Sequence, residues 1–582
     1  MKQVLKFFKP CIPAILLIIA LLFGQAMCEL ALPGYMSDII NDGIIKQDMD
    51  YIYSTGIMML IIAAGSMLCA IGASFFSSRV ASRALRDTRS SLFKKITSFS
   101  AAEFDQFQTA SLITRTTNDI QTVQQTSILI LRMACYAPIM GIGALIKALN
   151  TSPSLTWTIG LSLLVVLLIM ALMFVLVMPK FSVLQSKLDR LNLIVGERLS
   201  GLLVVRAFNS ETYEEERFDD ANRDLTKLGI FVNRAMSFMF PALMLVMNLS
   251  GILIVWVGAH MVGDASLMIG DMLAFLQYSM QIIISFLVIT MMFIMIPRAI
   301  VSTRRIGEVL AVEPSIEDKE EPEHINEAKG VLCFDHVDFA YPDAEEKTLE
   351  DISFTALPGQ TTAIIGSTGS GKSSLVNLIP RFFDISGGSI TLDGVDIRNI
   401  PQHELREHIG IVPQKGLLFS GTIASNLSFG KEDATKEEMI DALKTAQALD
   451  FVEEMPDGLD THVAQGGTSV SGGQKQRLSI ARALIRNPQV YIFDDSFSAL
   501  DFKTDKNLRA ALKEKVGGST FIIVAQRINT ILDADQIVLL DEGKVAGIGT
   551  HKELLASNKI YQEIALSQLS EEELGKEVAI DG

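Results

Sequence analysis

Residues 361–373 read Thr-Thr-Ala-Ile-Ile-Gly-Ser-Thr-Gly-Ser-Gly-Lys-Ser, and this stretch decides the fold of the C-terminal half of the chain. An apolar run typical of a buried strand leads into a glycine-rich loop that ends in Lys372 and Ser373. Glycines let the backbone curl so that its N–H groups face an anion, the lysine adds a positive charge, and the serine hydroxyl can bind Mg²⁺. The pattern predicts a strand–loop–helix unit that binds nucleotide phosphates. The residues that we expect to bind the nucleotide in this loop are Gly366, Ser367, Thr368, Gly369, Ser370, Gly371, Lys372, Ser373 and Ser374.

Two stretches downstream of this loop point to the same chemistry. Val490-Tyr-Ile-Phe-Asp494 is an apolar run that ends in a carboxylate, which is suited to hold Mg²⁺ through water. Val470-Ser-Gly-Gly-Gln-Lys-Gln-Arg477 precedes a helical run, and a Ser-Gly-Gly turn at a helix N-terminus presents N–H groups to an anion. Each pattern alone is common, since a lone Ser-Gly-Gly can be a simple helix cap. Together with short apolar strands that alternate with helices, they predict an α/β nucleotide-binding domain.

The N-terminal half of the chain has a different composition. Hydrophobic residues make up 49% of the whole sequence and concentrate before residue 300. Soluble helices are rarely apolar all round over about 20 residues, the length that crosses a bilayer. The first apolar run follows lysines as a signal peptide does, but it is too long and lacks a cleavage pattern, which favours a retained helix. We therefore predict an all-α transmembrane domain of six helices, with spans at 11–33, 51–76, 127–149, 155–179, 236–262 and 272–296.

Basic residues predict the orientation of these six helices. Segments 77–126 and 180–235 are rich in Arg and Lys, whereas the alternate segments contain only Lys46. Loops rich in basic residues stay in the cytoplasm, so we expect a multi-pass protein of the cytoplasmic membrane with both termini in the cytoplasm. The heptad-like apolar spacing of the two long loops predicts that the membrane helices continue well into the cytoplasm.

Three ionisable residues lie inside the predicted spans, namely Glu29, Arg132 and Lys147. A charge in lipid is costly, so each is a candidate for lining a cavity. Each also lies near a predicted helix end, where its charged group could reach the membrane surface instead.

Charge, cysteines and prolines bound the remaining possibilities. A net charge of −16 repels phosphates, so we expect no nucleic-acid partner. The five cysteines have neither metal-ligand nor Cys-x-x-Cys spacing, and their odd number argues against a disulfide framework. Pro314 and Pro322 in an acidic stretch mark a linker. We predict a transmembrane domain at 1–305, a linker at 306–328, a nucleotide-binding domain at 329–570 and an acidic tail at 571–582.

With these motifs, the sequence resembles the ABC transporters over nearly its whole length, and within them the exporter type that fuses a membrane domain to an ATP-binding cassette. The resemblance implies ATP and Mg²⁺ as ligands and a head-to-tail pair of cassettes. It implies that Tyr341, in Phe-Ala-Tyr-Pro, stacks on adenine, and that Gln414, in Ile-Val-Pro-Gln, contacts Mg²⁺ or water and senses the membrane domain. The metal ligands that it implies are Ser373, Gln414 and Asp494.

Further residues gain roles only through this resemblance. The signature motif, which would contact the ATP held by a partner chain, is Ser471, Gly472, Gly473 and Gln474. Residues 498–501 match the D-loop of the family. In the membrane half, Glu103-Phe-Asp105 and Val205-Arg-Ala-Phe208 resemble the stretches around the two coupling helices.

Three departures from the family pattern matter. Asp495 stands where the family has its catalytic glutamate, and Gln526 stands where it has its switch histidine. Before the signature, Ala464-Gln-Gly-Gly467 replaces the usual Gly-Glu-Arg-Gly. A shorter carboxylate misplaces the attacking water, and an amide cannot carry a proton as histidine can. The chain therefore resembles the degenerate-site subunit of bacterial heterodimeric multidrug exporters, whose main hydrolytic site is completed between this chain and its partner.

The six spans exclude a non-membrane ATPase of the same family, while an ATP-gated channel or regulator would share the fold. We expect an ATP-driven half-transporter that exports hydrophobic or amphiphilic drug-like compounds, since its apolar, Met-rich helices suit an adaptable cavity. The alternatives are a lipid or peptide exporter, or a homodimer in place of the heterodimer.

Overall fold

The computed structural model describes residues 2–325, 327–342 and 344–568, and it divides into two compact units. The membrane unit comprises residues 1–97 and 110–312, and the cassette unit comprises residues 98–109 and 313–582. The predicted acidic tail at 571–582 lies outside the described residues.

The membrane unit is all helical, and the prediction of six membrane helices is confirmed by six helices that are long and apolar enough to span a bilayer. The longest stretches, of 49 and 53 residues, would extend for about 75–80 Å, more than twice a hydrocarbon layer of about 30 Å. The helices of this half of the chain are α1 Lys2–Lys6, α2 Ile12–Asp38, α3 Met49–Thr97, α4 Ala101–Phe107, α5 Thr109–Thr114, α6 Ile120–Thr151, α7 Thr156–Ser200, α8 Leu202–Ala207, α9 Glu211–Gly263 and α10 Ile269–Ala311. Two π-helical stretches, Ile39–Ile44 and Arg115–Asp119, extend α2 and precede α6.

Helices α2, α3, α6 and α10 pack against one another, while α7 packs along α9. Glycines permit the close approach of the first group. A Cβ atom on Gly24 of α2 would lie 3.4 Å from Sγ of Cys69 on α3, and one on Gly143 of α6 would collide with the side chain of Leu30. The buried core between these helices contains Ala26, Leu30, Met140 and Ala144. Small residues at helix crossings are typical of membrane packing, where close van der Waals contact replaces the hydrophobic effect.

The boundary between the two halves of the chain differs in detail from the predicted linker at 306–328. Helix α10 continues to Ala311, and the cassette unit resumes at residue 313. The helix ends at Val312, whose extended backbone breaks the helical hydrogen bonding two residues before Pro314. The segment 98–109, which contains α4, groups with the cassette unit.

The cassette contains two main sheets with helices around them. A six-stranded sheet has the order β12-β11-β3-β10-β9-β6, and a four-stranded antiparallel sheet has the order β2-β1-β4-β5. The strands are β1 Leu332–Phe339, β2 Leu349–Ala356, β3 Thr361–Gly366, β4 Gly387–Leu392, β5 Val395–Asp396, β6 Ile409–Val412, β7 Gly421–Thr422, β8 His462–Val463, β9 Val490–Asp494, β10 Thr520–Val524, β11 Gln536–Asp541 and β12 Lys544–Gly549. The helices are α11 Lys372–Leu378, α12 Gln402–Glu407, α13 Ile423–Ser428, α14 Lys436–Thr445, α15 Leu449–Glu453, α16 Gly472–Leu484, α17 Phe502–Val516, α18 His551–Ser557 and α19 Lys559–Leu566.

Parallel pairing in the larger sheet brings the predicted motifs to one edge. Strand β10 pairs in parallel with β3 and β9, and β9 pairs in parallel with β6. The register aligns Val524 with Ile364 on one side and with Asp494 on the other. Because carboxyl ends of parallel strands share an edge, the chain segments that leave β3, β6, β9 and β10 gather there.

Candidate nucleotide site

The loop after β3 has the backbone shape that its glycines require. Gly369 and Gly371 have φ angles of 88° and 94°, a region that costs other residues strain. A Cβ atom on Gly371 would lie 2.6 Å from Cδ2 of Leu349 and 3.2 Å from the carbonyl oxygen of Thr348, so a side chain here would require these neighbours to shift. Helix α11 begins directly after it, which points the helix N-terminus and its free N–H groups toward the loop.

Lys372 lies across this loop. Its Nζ donates to the carbonyl oxygen of Gly366 at 2.9 Å and to that of Ser367 at 2.6 Å. Burial lowers the pKa of Lys372, while the charges of Asp494 and Asp495 partly oppose that shift. The ammonium group is therefore held over the loop, at the place where a phosphate charge would compensate its burial.

Oxygen ligands suited to Mg²⁺ meet beside the loop. The Oγ of Ser373 lies 3.5 Å from Oδ1 of Asp494, which ends β9. Burial raises the pKa of Asp494, and the nearby charge of Asp495 adds to the rise. A hydroxyl and a carboxylate form the hard donor set that Mg²⁺ prefers, and a bound cation would offset the cost of burying this carboxylate.

Asp495 occupies a constrained position at the next residue. Its φ is 46°, in the left-handed region that Asp tolerates better than most residues, and its N–H donates to the carbonyl of Val524 at 3.0 Å. Its Oδ2 accepts a hydrogen bond from Nε2 of Gln414 at 3.2 Å. The structure thus brings together two residues that the sequence places 81 positions apart, and Gln414 holds the short carboxylate on its own side of the site.

Gln526 follows β10 and has an exposed side chain. Its backbone carbonyl accepts a hydrogen bond from Nε2 of Gln568 at 2.9 Å, and Oε1 of Gln568 accepts one from the N–H of Ile528 at 2.9 Å. The side-chain amide of Gln568, which follows α19, therefore holds the loop that contains Gln526 in place. Sequence reasoning missed Gln568, because nothing in its local pattern relates it to a loop 42 residues earlier.

Tyr341 lies at the start of the loop between β1 and β2. Its hydroxyl is 2.9 Å from Oγ of Ser374, and its ring meets the ring of Phe383 edge-on at 5.3 Å. These contacts fix the aromatic ring next to the beginning of α11. The prediction that this ring stacks on adenine stays a prediction.

Ser471 caps α16, as the sequence pattern suggested. Its Oγ accepts from the N–H of Gln474 at 3.3 Å, and its own N–H donates to Oε1 of Gln474 at 2.9 Å. The hydroxyl hydrogen of Ser471 is left to donate elsewhere, and the residue is exposed. In the described part of the chain no hydrogen bond joins 471–474 to the loop at 366–373, and the role of 471–474 toward the ATP of another chain stays a prediction.

Helix α4, in the first coupling stretch, is anchored within the cassette unit. Glu103 is buried, its Oε2 accepts from the N–H of Ser100 at 2.6 Å, and its Oε1 accepts from the N–H of Ser315 at 3.1 Å. Burial alone would raise the pKa of Glu103, yet the hydrogen bonds from Ser100 and Ser315 outweigh it and hold that pKa below its usual value. In the second coupling stretch, Leu203 and Phe208 at α8 are exposed.

Comparisons with known proteins show the family of this chain. Residues 15–286 match the model of the ABC transporter transmembrane region, and residues 349–498 match that of the ABC transporter family. An uncharacterized ABC transporter ATP-binding protein of Mycobacterium tuberculosis is 40% identical over 550 residues, 94% of either chain. The chain belongs to the ABC transporter family. Its type is the exporter with fused membrane and cassette domains, and it is an ATP-hydrolysing membrane transporter.

More distant ABC transporters carry names that describe activity. A probable multidrug resistance ABC transporter ATP-binding/permease protein of Bacillus subtilis is 35% identical and covers 82% of this chain and 81% of its own. An ATP-dependent lipid A-core flippase of Pseudomonas fluorescens is 32% identical, with coverage of 88% and 85%. The solved structure of a bacterial Atm1-family ABC exporter with ATP bound superposes with a TM-score of 0.77, at 25% identity over 96% of this chain and 98% of that one.

Proposed function

We propose that this ABC exporter chain pairs with a different half-transporter, and that the pair moves amphiphilic compounds out of the cell across the cytoplasmic membrane. The observation that carries the pairing is the contact between Asp495 and Gln414 at 3.2 Å, in a site whose loop 366–373 is intact. The site is built to hold ATP but lacks the groups that would hydrolyse it well.

The nucleotide site has binding groups without an efficient base. Lys372, Ser373 and Asp494 would hold the triphosphate and Mg²⁺, and Mg²⁺ would neutralise charge on the transferred phosphoryl group. A base must lie within hydrogen-bond reach of the attacking water. Asp495 is one methylene shorter than glutamate and is already bonded to Gln414. Gln526 can donate a hydrogen bond to a phosphate oxygen but cannot carry a proton.

The signature supports a partner with a complete site. Ser471 is exposed and is the N-cap of α16, the end of the helix where backbone N–H groups face an anion. This chain would therefore complete the ATP site of its partner while its own site turns over slowly. A homodimer would contain two impaired sites, which makes it the weaker alternative.

Amphiphiles are supported as substrates by two independent observations. The relatives whose names describe activity are named for multidrug resistance and for a lipid flippase, and drugs and lipids of this kind share an apolar body with a polar group. The chain also contains 25 methionines, whose flexible thioethers suit irregular apolar ligands. A lipid is the second candidate, because a lipid flippase is among those relatives.

The deciding experiment is purification of the chain from its native membranes by a tag, followed by identification of any chain that co-purifies. We expect a second half-transporter that has glutamate directly after its counterpart of Asp494, and ATP hydrolysis by the pair that amphiphiles stimulate. Robust ATP hydrolysis and transport by this chain alone would refute the heterodimer.

A further inference from the structure

A membrane-embedded carboxylate in the described structure has no charged partner. Glu29 lies within the predicted span 11–33 and nine residues before the end of α2 at Asp38, about 14 Å along the helix axis. Among the described residues, none of the ion pairs includes Glu29. An uncompensated charge at this depth is costly, and such residues mark functional sites more often than packing positions.

Three neutral groups surround the carboxylate. Its Oε1 accepts from Nε2 of Gln25 at 2.9 Å and from Oγ of Ser66 on α3 at 3.1 Å, and its Oε2 accepts from the hydroxyl of Tyr136 on α6. These bonds fix the position of both oxygens. They supply partial charges only, so a full negative charge would remain for a ligand to meet.

The site is closed on one side and open on another. Ser66 is buried, whereas Glu29, Gln25 and Tyr136 each keep part of their surface exposed. The carboxylate therefore contacts a buried residue of α3 and still keeps part of its own surface exposed. A carboxylate beside an aromatic ring suits an organic cation, since the ring face attracts positive charge and the carboxylate neutralises it.

Neither basic residue of α6 forms an ion pair with Glu29 in the described structure. Arg132 lies one turn before Tyr136 on α6, yet no ion pair joins it to Glu29 in the described structure. Lys147 lies eleven residues further along the same helix. In the described structure the carboxylate of Glu29 is therefore bonded to neutral groups only, and its charge is available to a bound cation.

We propose that Glu29 binds the cationic group of transported amphiphiles, with Tyr136 beside that group and Ser66 and Gln25 orienting the carboxylate. This assignment rests on the proposed export of amphiphiles and narrows it to organic cations. A purely structural role, in which the carboxylate only ties α2, α3 and α6 together, predicts different results in the experiment below.

The test uses the complex purified through this chain, placed in lipid nanodiscs. The probes are tetraphenylphosphonium, a permanent cation, and triphenylphosphine oxide, a neutral compound of similar shape. We measure the binding of each probe and its stimulation of ATP hydrolysis. Glu29→Gln should weaken tetraphenylphosphonium binding by about tenfold or more and leave the neutral probe unchanged, because only the charge is removed. Glu29→Asp should retain most of the preference for the cation.

Two matched variants separate charge from packing. Tyr136→Phe removes one hydrogen bond to Glu29 but leaves the charge of the Glu29 carboxylate in place, so cation binding should change by less than about threefold. Arg132→Gln removes a positive charge from the same helix and should not weaken cation binding. Equal losses for both probes in Glu29→Gln, an unchanged cation affinity, or a loss in Arg132→Gln as large as that in Glu29→Gln would each overturn the proposal.

The wild-type complex separates this inference from the proposed function. Binding of the neutral probe without the cation would end the inference and leave amphiphile export standing. Binding and stimulation by neither probe would count against amphiphile export itself. If Glu29→Gln is not recovered from membranes, Glu29→Asp and Tyr136→Phe are compared with the wild type instead. In that comparison, a loss of the preference for the cation in Tyr136→Phe would overturn the proposal.

Discussion

Lengthening the side chain of residue 495 by one methylene should increase the rate of ATP hydrolysis at this chain's own site. Asp495→Glu extends the side chain by one carbon–carbon bond of about 1.5 Å, beyond the amide of Gln414 that now holds the carboxylate at 3.2 Å. A misplacement of about 1 Å can cost about 100-fold in rate. Because Gln526 would still replace histidine, we expect a gain of about 10- to 100-fold, equivalent to about 1.4–2.7 kcal/mol of activation free energy.

The same change has a cost that can be measured separately. Residue 495 has a φ of 46°, and glutamate is less tolerant of this region than aspartate. We expect a loss of folding stability of up to about 1 kcal/mol, which would appear as a small decrease in melting temperature. A gain in hydrolysis together with this loss would show that the native residue favours a stable, slow site.

The assay uses the proposed heterodimer, after replacement by glutamine of the catalytic glutamate that we expect in the partner. Residual ATP hydrolysis then reports the site that contains Asp495. Asp495→Asn is the matched control, and it should change little, since we propose that the native site contributes little hydrolysis. If Asp495→Glu gave no increase, or if Asp495→Asn reduced hydrolysis by the intact complex as strongly as loss of the partner's glutamate, the reasoning would be refuted.

Four further predictions concern other parts of the chain. Lys372→Ala should weaken binding of a labelled ATP analogue to this chain's own site by about tenfold or more, and unchanged binding would remove loop 366–373 from the site. Ser471→Ala should sharply reduce ATP turnover by the complex, whereas an effect confined to this chain's own site would contradict a role toward the partner. Glu103→Ala should cost about 1 kcal/mol in α4 capping and uncouple transport from hydrolysis. Because the folded-state pKa of Glu103 is depressed, its stabilisation is present above its usual pKa of 4.5 and is lost as pH falls through the folded value, which melting curves of wild type and variant at pH 7 and below 4.5 would show. For topology, Ser266→Cys should react with an impermeant thiol reagent from outside and Asp105→Cys only after the membrane is opened, and the opposite pattern would reverse the orientation.

The sequence predicted those features that local physics determines. The membrane spans were predicted from the length of the apolar runs. The loop at 366–373 was predicted from its glycines, which adopt backbone conformations that other residues rarely adopt. The α/β character of the second domain follows from short apolar strands that alternate with helices. Each of these features depends on residues close together in the chain, whereas the strand pairing that brings this loop to Asp494 joins distant segments.

The parts that were missed depend on distant pairs. The bond of Gln568 to the loop of Gln526 joins two stretches with unremarkable local patterns. Ser315, which binds Glu103, lies 212 residues away from it, in a segment whose composition indicates only a linker. The predicted start of that linker also preceded the end of α10, since a helix that leaves the membrane can continue on polar residues, here as far as Ala311.

The grouping of residues 98–109 with the cassette has a consequence for engineering chimeric exporters. The chain passes between the two units at 97–98, at 109–110 and at 312–313, so a cassette exchanged only at the last junction leaves behind a piece of its own compact unit. The foreign cassette would then need to supply a backbone N–H in the place of Ser315 for a helix that it did not evolve with. Transplants that carry residues 98–109 together with 313–568 should retain coupling where single-junction transplants lose it.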